Sequence, residues 1–404
     1  MIAVDRFNGG SKTMTMAGAV GVLGLVLTAV GFFTAPQPTM FSYLFGFTYW
    51  VGISVASIIM VAIFHTAKAK WITILRRTME TMGSSVFVFA LLVIPILLGA
   101  KYIFPWVNHG EGWVFPGTNG VTFTPVELHH LHHKAPYLNL PFLYVRQAIY
   151  FGVWIFVSWR LRTWSMAQDA GGELEYTVKQ RRFSPGALPF LALTITFAGF
   201  DWLMTLTPLW QSTIFGVYYF AGSFLAAFCV LTIATVNAQG KDEYGTLVTT
   251  AHYHNLGKLM LAFTAFWAYI AFSQFLLIWI ANIPEEAGWF KLRIEGAWKP
   301  LSISLFVMGF AVPFFTLLSR NLKLKPRLLA IMAVYLLIMH AVDLYWLIWP
   351  AYSPQGPSFH WTLITAFMGV GGVSVAAAMW QARGRYTLPV KDPYISESLR
   401  YVQP

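Results

Sequence analysis

The side chains able to do chemistry in this sequence are few, and they sit in apolar surroundings. Asp201 precedes Pro208 by seven residues with Trp202 and Leu206 between, and Asp343 precedes Pro350 by seven with Trp346 and Leu347 between. An ionisable group inside hydrocarbon costs at least ~2.5–3.5 kcal/mol on insertion scales, so each needs a physical reason to be there. Arg146 and Asp201 are both expected roughly 8–10 Å below one membrane surface. They can meet there as a structural ion pair, or Asp201 can accept protons or bind a polar headgroup. His340 and Tyr335 fall on the helical face of Asp343, which has no cation on its own helix. Tyr335–His340–Asp343 is therefore a line of groups suited to passing protons, with a simple His–Asp lock as the plainer reading.

A second level of polar residues is expected near the opposite surface. Glu80 opens one apolar stretch, and His252, His254 and Lys258 open another. Aligning Gly83 with Gly257 sets Glu80 over His254. Glu80 can equally pair with Arg76 four residues earlier, and Lys258 can snorkel to the interface. Thr194, Ser273 and Gln274 are weaker polar points between the two levels, so the set resembles the two ends of a proton path.

Only a membrane accounts for the elements that carry these groups. The 404 residues are 57% hydrophobic, 17% aromatic and 11% charged. Soluble domains carry about 25% charged residues, and no soluble core of this size could bury so much apolar surface. Disorder, a disulfide scaffold and a nucleic-acid binder are excluded together. Ten stretches qualify as spans: Met14–Phe33, Phe41–Phe64, Thr81–Gly99, Pro141–Trp159, Pro185–Leu206, Thr213–Val236, Leu256–Ile280, Leu301–Leu318, Arg327–Trp349 and Trp361–Ala382. In chain order these are the predicted helices α1 to α10, and helix 1 has no cleavable-signal pattern. Of the 27 Lys and Arg, 21, among them Lys241, fall on the side of both termini. The remaining six are Lys101, Lys134, Arg146, Lys291, Arg293 and Lys299. The positive-inside rule makes the richer side cytoplasmic, with the long loop 100–140 periplasmic. The net charge of +11 then reflects topology and contact with anionic lipid.

The helices carry an internal repeat. Phe45-Gly46-x-x-Tyr49-x-x-Gly52-x-x-x-Ala56 in α2 matches Phe215-Gly216-x-x-Tyr219-x-x-Gly222-x-x-x-Ala226 in α6. The Asp–Pro spacings of α5 and α9 match in the same order. The expected fold class is an all-α integral membrane protein with two parallel-repeated four-helix bundles, α2–α5 and α6–α9, flanked by α1 and α10. The corresponding divisions are 1–40, 41–206, 207–350 and 351–404. Gly369 and Gly372 in α10 read as close helix packing.

No metal, haem or nucleotide site is expected. His129, His130, His132 and His133 cluster as HHLHH in the loop, without an acidic or thiolate complement, and read as a solvated loop. His254 and His340 lie at different depths and do not pair as haem ligands. The single Cys229 forms no internal disulfide and holds no iron–sulfur cluster. No glycine-rich phosphate loop follows a strand.

Several stretches resemble a known family: Ala135-Pro-Tyr-Leu-Asn-Leu-Pro-Phe-Leu-Tyr-Val-Arg146, Gly199-Phe-Asp-Trp-Leu-Met204, His252-Tyr-His-Asn-Leu-Gly-Lys258 and Asp392-Pro-Tyr-Ile-Ser-Glu-Ser398. With the doubled bundle, they are similar to the NrfD/PsrC-type membrane subunits of bacterial quinone oxidoreductases. Within these, they resemble the second such subunit of alternative complex III, a quinol:electron-acceptor oxidoreductase. The likeness runs from α1 to the tail. It implies an inner-membrane chain that is no enzyme by itself, has no covalently bound cofactor and supports electron transfer from quinol to cytochrome c or a similar acceptor. The implied partners are a sister NrfD-like subunit, an iron–sulfur protein and c-type cytochromes, which hold the haem and iron–sulfur clusters. The implied proton-transfer positions are Glu80, Asp201, His254, His340 and Asp343, beside Tyr335 from the helical face. A quinone could meet Asp201, Arg146 and Trp202, though an ion pair would occupy the same groups. A stand-alone secondary transporter and a purely structural scaffold are the alternatives. Pro95, Pro189 and Pro313 are expected to interrupt α3, α5 and α8, but not in corresponding pairs as transporters favour.

Overall fold

The computed structural model describes residues 6–116, 118, 120–239 and 247–402, so Lys241 lies outside the described residues. Ten helical segments are long and apolar enough to cross a membrane. They are α1 Ser11–Thr34, α2 Pro36–Thr66, α3 Trp71–Leu98, α4 Leu140–Gly171, α5 Leu174–Leu206, α6 Phe215–Ala238, α7 Thr250–Ala281, α8 Gly296–Leu318, α9 Pro326–Ala351 and α10 Thr362–Ala382. No β-strand occurs among the described residues, only isolated bridges at Arg6–Tyr386 and Val114–Thr122.

Each predicted span is present, but several run longer. α4 continues past Trp159 because Arg162 is buried rather than left at the surface, and the helix stops only at Gly172, whose φ of 77° needs no Cβ. α5 begins at Leu174 and runs unbroken through Pro185 and Pro189 to Trp202, so the expected break at Pro189 is absent. α3 and α8 are interrupted as expected. In α3 the helix restarts after Ser85 and after Val93, just before Pro95. In α8 a π-helical stretch, Leu305–Ala311, precedes Pro313. Proline offers no N–H to the carbonyl four residues back, and a wide turn just before it absorbs the misfit.

The core is α2 and α6. α2 is buried along almost its whole length, and α6 nearly so. A continuous apolar run with no polar face is what a helix surrounded by helices requires. α2 packs against α3, α5, α6 and α10, while α6 packs against α5, α7, α9 and α2. α1 lies along α10 through glycines: a Cβ added at Gly24 would stand 2.6 Å from the Gly369 nitrogen. Small residues thus bring two backbones together where no hydrophobic drive exists between lipid and helix. The outer face of α1, with Met16, Leu23 and Val26, is left exposed.

The HHLHH stretch is not an irregular loop. It lies in a surface helix, Pro125–Lys134, started by a capping box between Thr124 and Glu127. Thr124 accepts from the Glu127 N–H while Glu127 accepts from the Thr124 N–H, satisfying the free donors of the first turn. All four histidines are exposed, and the Nε2 atoms of His129 and His133 stand 3.1 Å apart.

Candidate functional site

Asp201 is fully enclosed. Arg146 on α4 donates to it twice, Nε to Oδ2 at 2.9 Å and an Nη to Oδ1 at 3.0 Å. The hydroxyls of Tyr137 and Tyr150 donate at 3.0 and 2.9 Å, and the Gln147 amide donates at 3.4 Å. The remaining Arg146 Nη donates to the Tyr137 carbonyl at 2.8 Å, and the guanidinium lies 3.9 Å from the Tyr137 ring centre. A two-point arginine pair with further donors is the arrangement in which a buried carboxylate is well satisfied. The groups expected to meet a quinone here are therefore engaged with each other. Trp202, the third of them, donates its indole N–H to Gln147 at 3.0 Å and packs edge-on against Phe47 and Trp154. Beside the pair, the Lys134 ammonium donates to the Pro208 carbonyl, just past the end of α5, at 2.8 Å, and partial burial lowers its pKa.

Asp343 sits in different company. Tyr218 on α6 donates to Oδ1 through a short contact, and the Trp267 indole on α7 donates to Oδ2 at 3.2 Å. No cation lies within ion-pair distance of it among the described residues. Arg293, a buried cation just before α8, grips the end of α9 instead. It donates to the Trp346 and Leu347 carbonyls at 3.3 and 3.0 Å and stacks on Trp289 at 3.5 Å. Carbonyls at a helix C-terminus lack intrahelical partners and favour a cation there.

His340 lies one turn back, as the helical spacing requires. Tyr49 of α2 covers its ring at 5.2 Å, and its Nε2 has no hydrogen-bond partner. Tyr335 does not continue the line. Its hydroxyl donates to the Met308 carbonyl at 2.6 Å, inside the π-helical stretch of α8, because at that level the Tyr335 face of α9 meets α8.

At the far end, under the C-terminal tail, Glu80 is locked into ion pairs. Arg77 meets it at 2.9 Å and Arg76 at 3.3 Å. Arg76 also holds Asp392 of the tail at 2.5 Å, and Arg77 binds Asp169 closely. Arg162 ties this group to α10 by donating to the Gln381 carbonyl at 2.6 Å. Ser398 completes the tail's seat, accepting from the Ile74 N–H at 3.2 Å and donating to the Trp71 carbonyl at 2.6 Å. His254 is half-buried at this end and Lys258 is exposed, while His252 is buried and caps the start of α7 through Thr249 at 2.8 Å. Glu80 and His254 thus share an end of the bundle but not an environment. Of the intermediate points, Thr194 accepts from Trp154 at 2.8 Å and Gln274 accepts from Ser212 at 3.0 Å, while Ser273 only bonds its own helix.

Sequence reasoning missed Tyr218, Trp267 and Arg293. Tyr218 stands next to the repeated Tyr219, so the repeat drew attention to the wrong tyrosine. It also missed a cleft of about 860 Å³ between α7, α8 and α9. Tyr218, Trp267, Phe272, Phe306, Phe310 and Trp346 are among its walls, and Lys299 is the one charged residue lining it. The two donors to Asp343 therefore form part of the cleft wall. Among the described residues no group of three His, Cys, Asp or Glu side chains could hold a metal ion. No family model matches the sequence, and no curated protein matches it.

Proposed function

We propose that this chain is ActF-like: the second NrfD/PsrC-type membrane subunit of an alternative complex III in a bacterial inner membrane, with both termini cytoplasmic. In this reading it carries no redox centre. It supports quinol oxidation by exchanging protons within its second four-helix bundle, while an iron–sulfur protein, c-type cytochromes and a sister NrfD-like subunit carry the electrons. The observation that supports a proton role is the contrast between the two aspartates. Asp201 is tied to Arg146, so protonating it would break an ion pair. Asp343 is held only by neutral donors, so it can gain or lose a proton without breaking one. Helix partners support the doubled bundle: α2 touches α3, α5 and α6, and α6 touches α7, α9 and α2.

The cleft suits a quinone better than Asp201 does. Its size and mostly apolar, aromatic lining are those of a small-molecule site, whereas every polar atom around Asp201 is engaged. A quinol held among Trp267, Phe306 and Phe310 would supply the electrons and protons of the complex's reaction. A transporter is the weaker reading. The broken helices α3 and α8 do not correspond in the two halves, since α3 would match α7. The scaffold reading suits Asp201 and Glu80, but gives no reason for a buried carboxyl lacking a counter-charge.

The test is gentle extraction from the native membrane, followed by an absorption spectrum and subunit masses. A c-type haem spectrum with co-purifying iron–sulfur and NrfD-like subunits supports the proposal. A colourless, solitary protein overturns it in favour of a transporter.

A further inference from the structure

Between His340 and Asp343 the packing leaves a void of about 20 Å³, bounded also by Gly222, Trp267, Gly309 and Met339. Both titratable residues are buried and line the void, and His340 Nε2 has no hydrogen-bond partner. We propose that this void holds one water molecule bridging the His340 imidazole and the Asp343 carboxyl group, and that Gly309 is the residue that keeps it open. A water needs roughly 10–15 Å³ of such space and two to four polar partners, and purely apolar voids stay dry. This void has the room and two polar partners. An imidazole nitrogen buried without a bond costs free energy that a single water removes.

Two glycines shape the space differently. A Cβ at Gly222 would stand 3.0 Å from His340 Cε1 and 3.1 Å from Nδ1, so Gly222 sets where the ring lies. A Cβ at Gly309 would meet Trp267, Met339 and Leu305 at 3.6 to 3.8 Å, which is ordinary contact. Alanine therefore fits at position 309 without displacing a neighbour, but its methyl takes up room at the void. Gly309 lies in the π-helical stretch that Tyr335 clamps through the Met308 carbonyl. π-turns recur at functional sites because they reshape one helix face locally. Tyr335 is then a positioning residue for the water rather than a link in the path.

The part played in proton passage rests on the function proposed above; the water itself does not. The experiment is infrared difference spectroscopy on the whole complex in ordinary and heavy-oxygen water, for wild type, Gly309→Ala and His340→Leu. The expected result is one isolated water band that shifts with the label in wild type and is absent from both variants. Gly309→Ala should melt at an unchanged temperature and slow proton-coupled turnover about tenfold or more. A wild type without the band, or its persistence in either variant, overturns the bound water. Loss of the band with normal turnover overturns its role in the path. Normal turnover in Asp343→Asn, by contrast, would remove the proton reading and leave the water standing.

Discussion

Arg146 and Asp201 meet through two parallel N–H to oxygen bonds at 2.9 and 3.0 Å, joining α4 to α5 inside the membrane. Asp343, at the matching place in α9, meets only Tyr218 and Trp267. Two aspartates with the same sequence spacing thus have opposite electrostatic surroundings, and the predictions follow from that difference.

Replacing Arg146 by leucine should harm folding more than it harms turnover of the complex that survives. Removing one partner of a buried pair costs about 3–5 kcal/mol, because the other charge is left uncompensated. Asp201→Leu combined with Arg146→Leu should recover much of the loss. Thermal melting of the detergent-solubilised variants measures both, and normal assembly of the single variant would show that the pair is dispensable.

The span pattern and the Arg146–Asp201 pair were legible in the sequence because both depend on one-dimensional facts: apolar run length, and equal depth from one surface. The partners of Asp343 were not, since Tyr218 and Trp267 come from two other helices whose rotation no spacing reveals. Tyr335 shows the limit clearly. Five residues from His340, it is turned about 140° away around the helix, and a carbonyl of the π-helical stretch of α8 takes its hydroxyl. The tail motif Asp392–Ser398 was recognisable as a motif, but only the fold explains it: Asp392 and Ser398 are both buried against the start of α3.

The tail should prove to be a structural latch. Asp392→Ala strips Arg76 of its closest partner in a buried network and should cost about 3–5 kcal/mol. Lys70→Ala breaks the half-exposed pair with Glu397, 2.8 Å long, and should cost no more than about 1 kcal/mol. Limited proteolysis at the C-terminus, together with melting temperature, distinguishes the two. Equal effects would mean that burial does not govern how the tail is held.

Filling the α7–α8–α9 cleft should abolish quinone binding without disturbing the aspartates. Ala268→Trp and Ala271→Trp place an indole in the cleft, far in character from the saturated Asp201 site. With menaquinone-4 and decylubiquinone as probes on the complex in nanodiscs, wild type should bind saturably and the filled variants should not. Trp202→Phe should bind normally. Binding that survives both tryptophans, or that Trp202→Phe removes, would return the quinone to the Asp201 region.

The most direct measurement is proton-coupled turnover of the assembled complex carrying Asp343→Asn, in sealed vesicles beside wild type. Asparagine keeps the shape of the side chain and can still accept from Tyr218 or Trp267, so subunit composition should be unchanged. Proton transfer by a positioned group contributes about 10²–10⁴-fold, so turnover with proton movement should fall at least about tenfold. A complex that turns over and moves protons at the wild-type rate would contradict the assignment of Asp343 as the exchanging group.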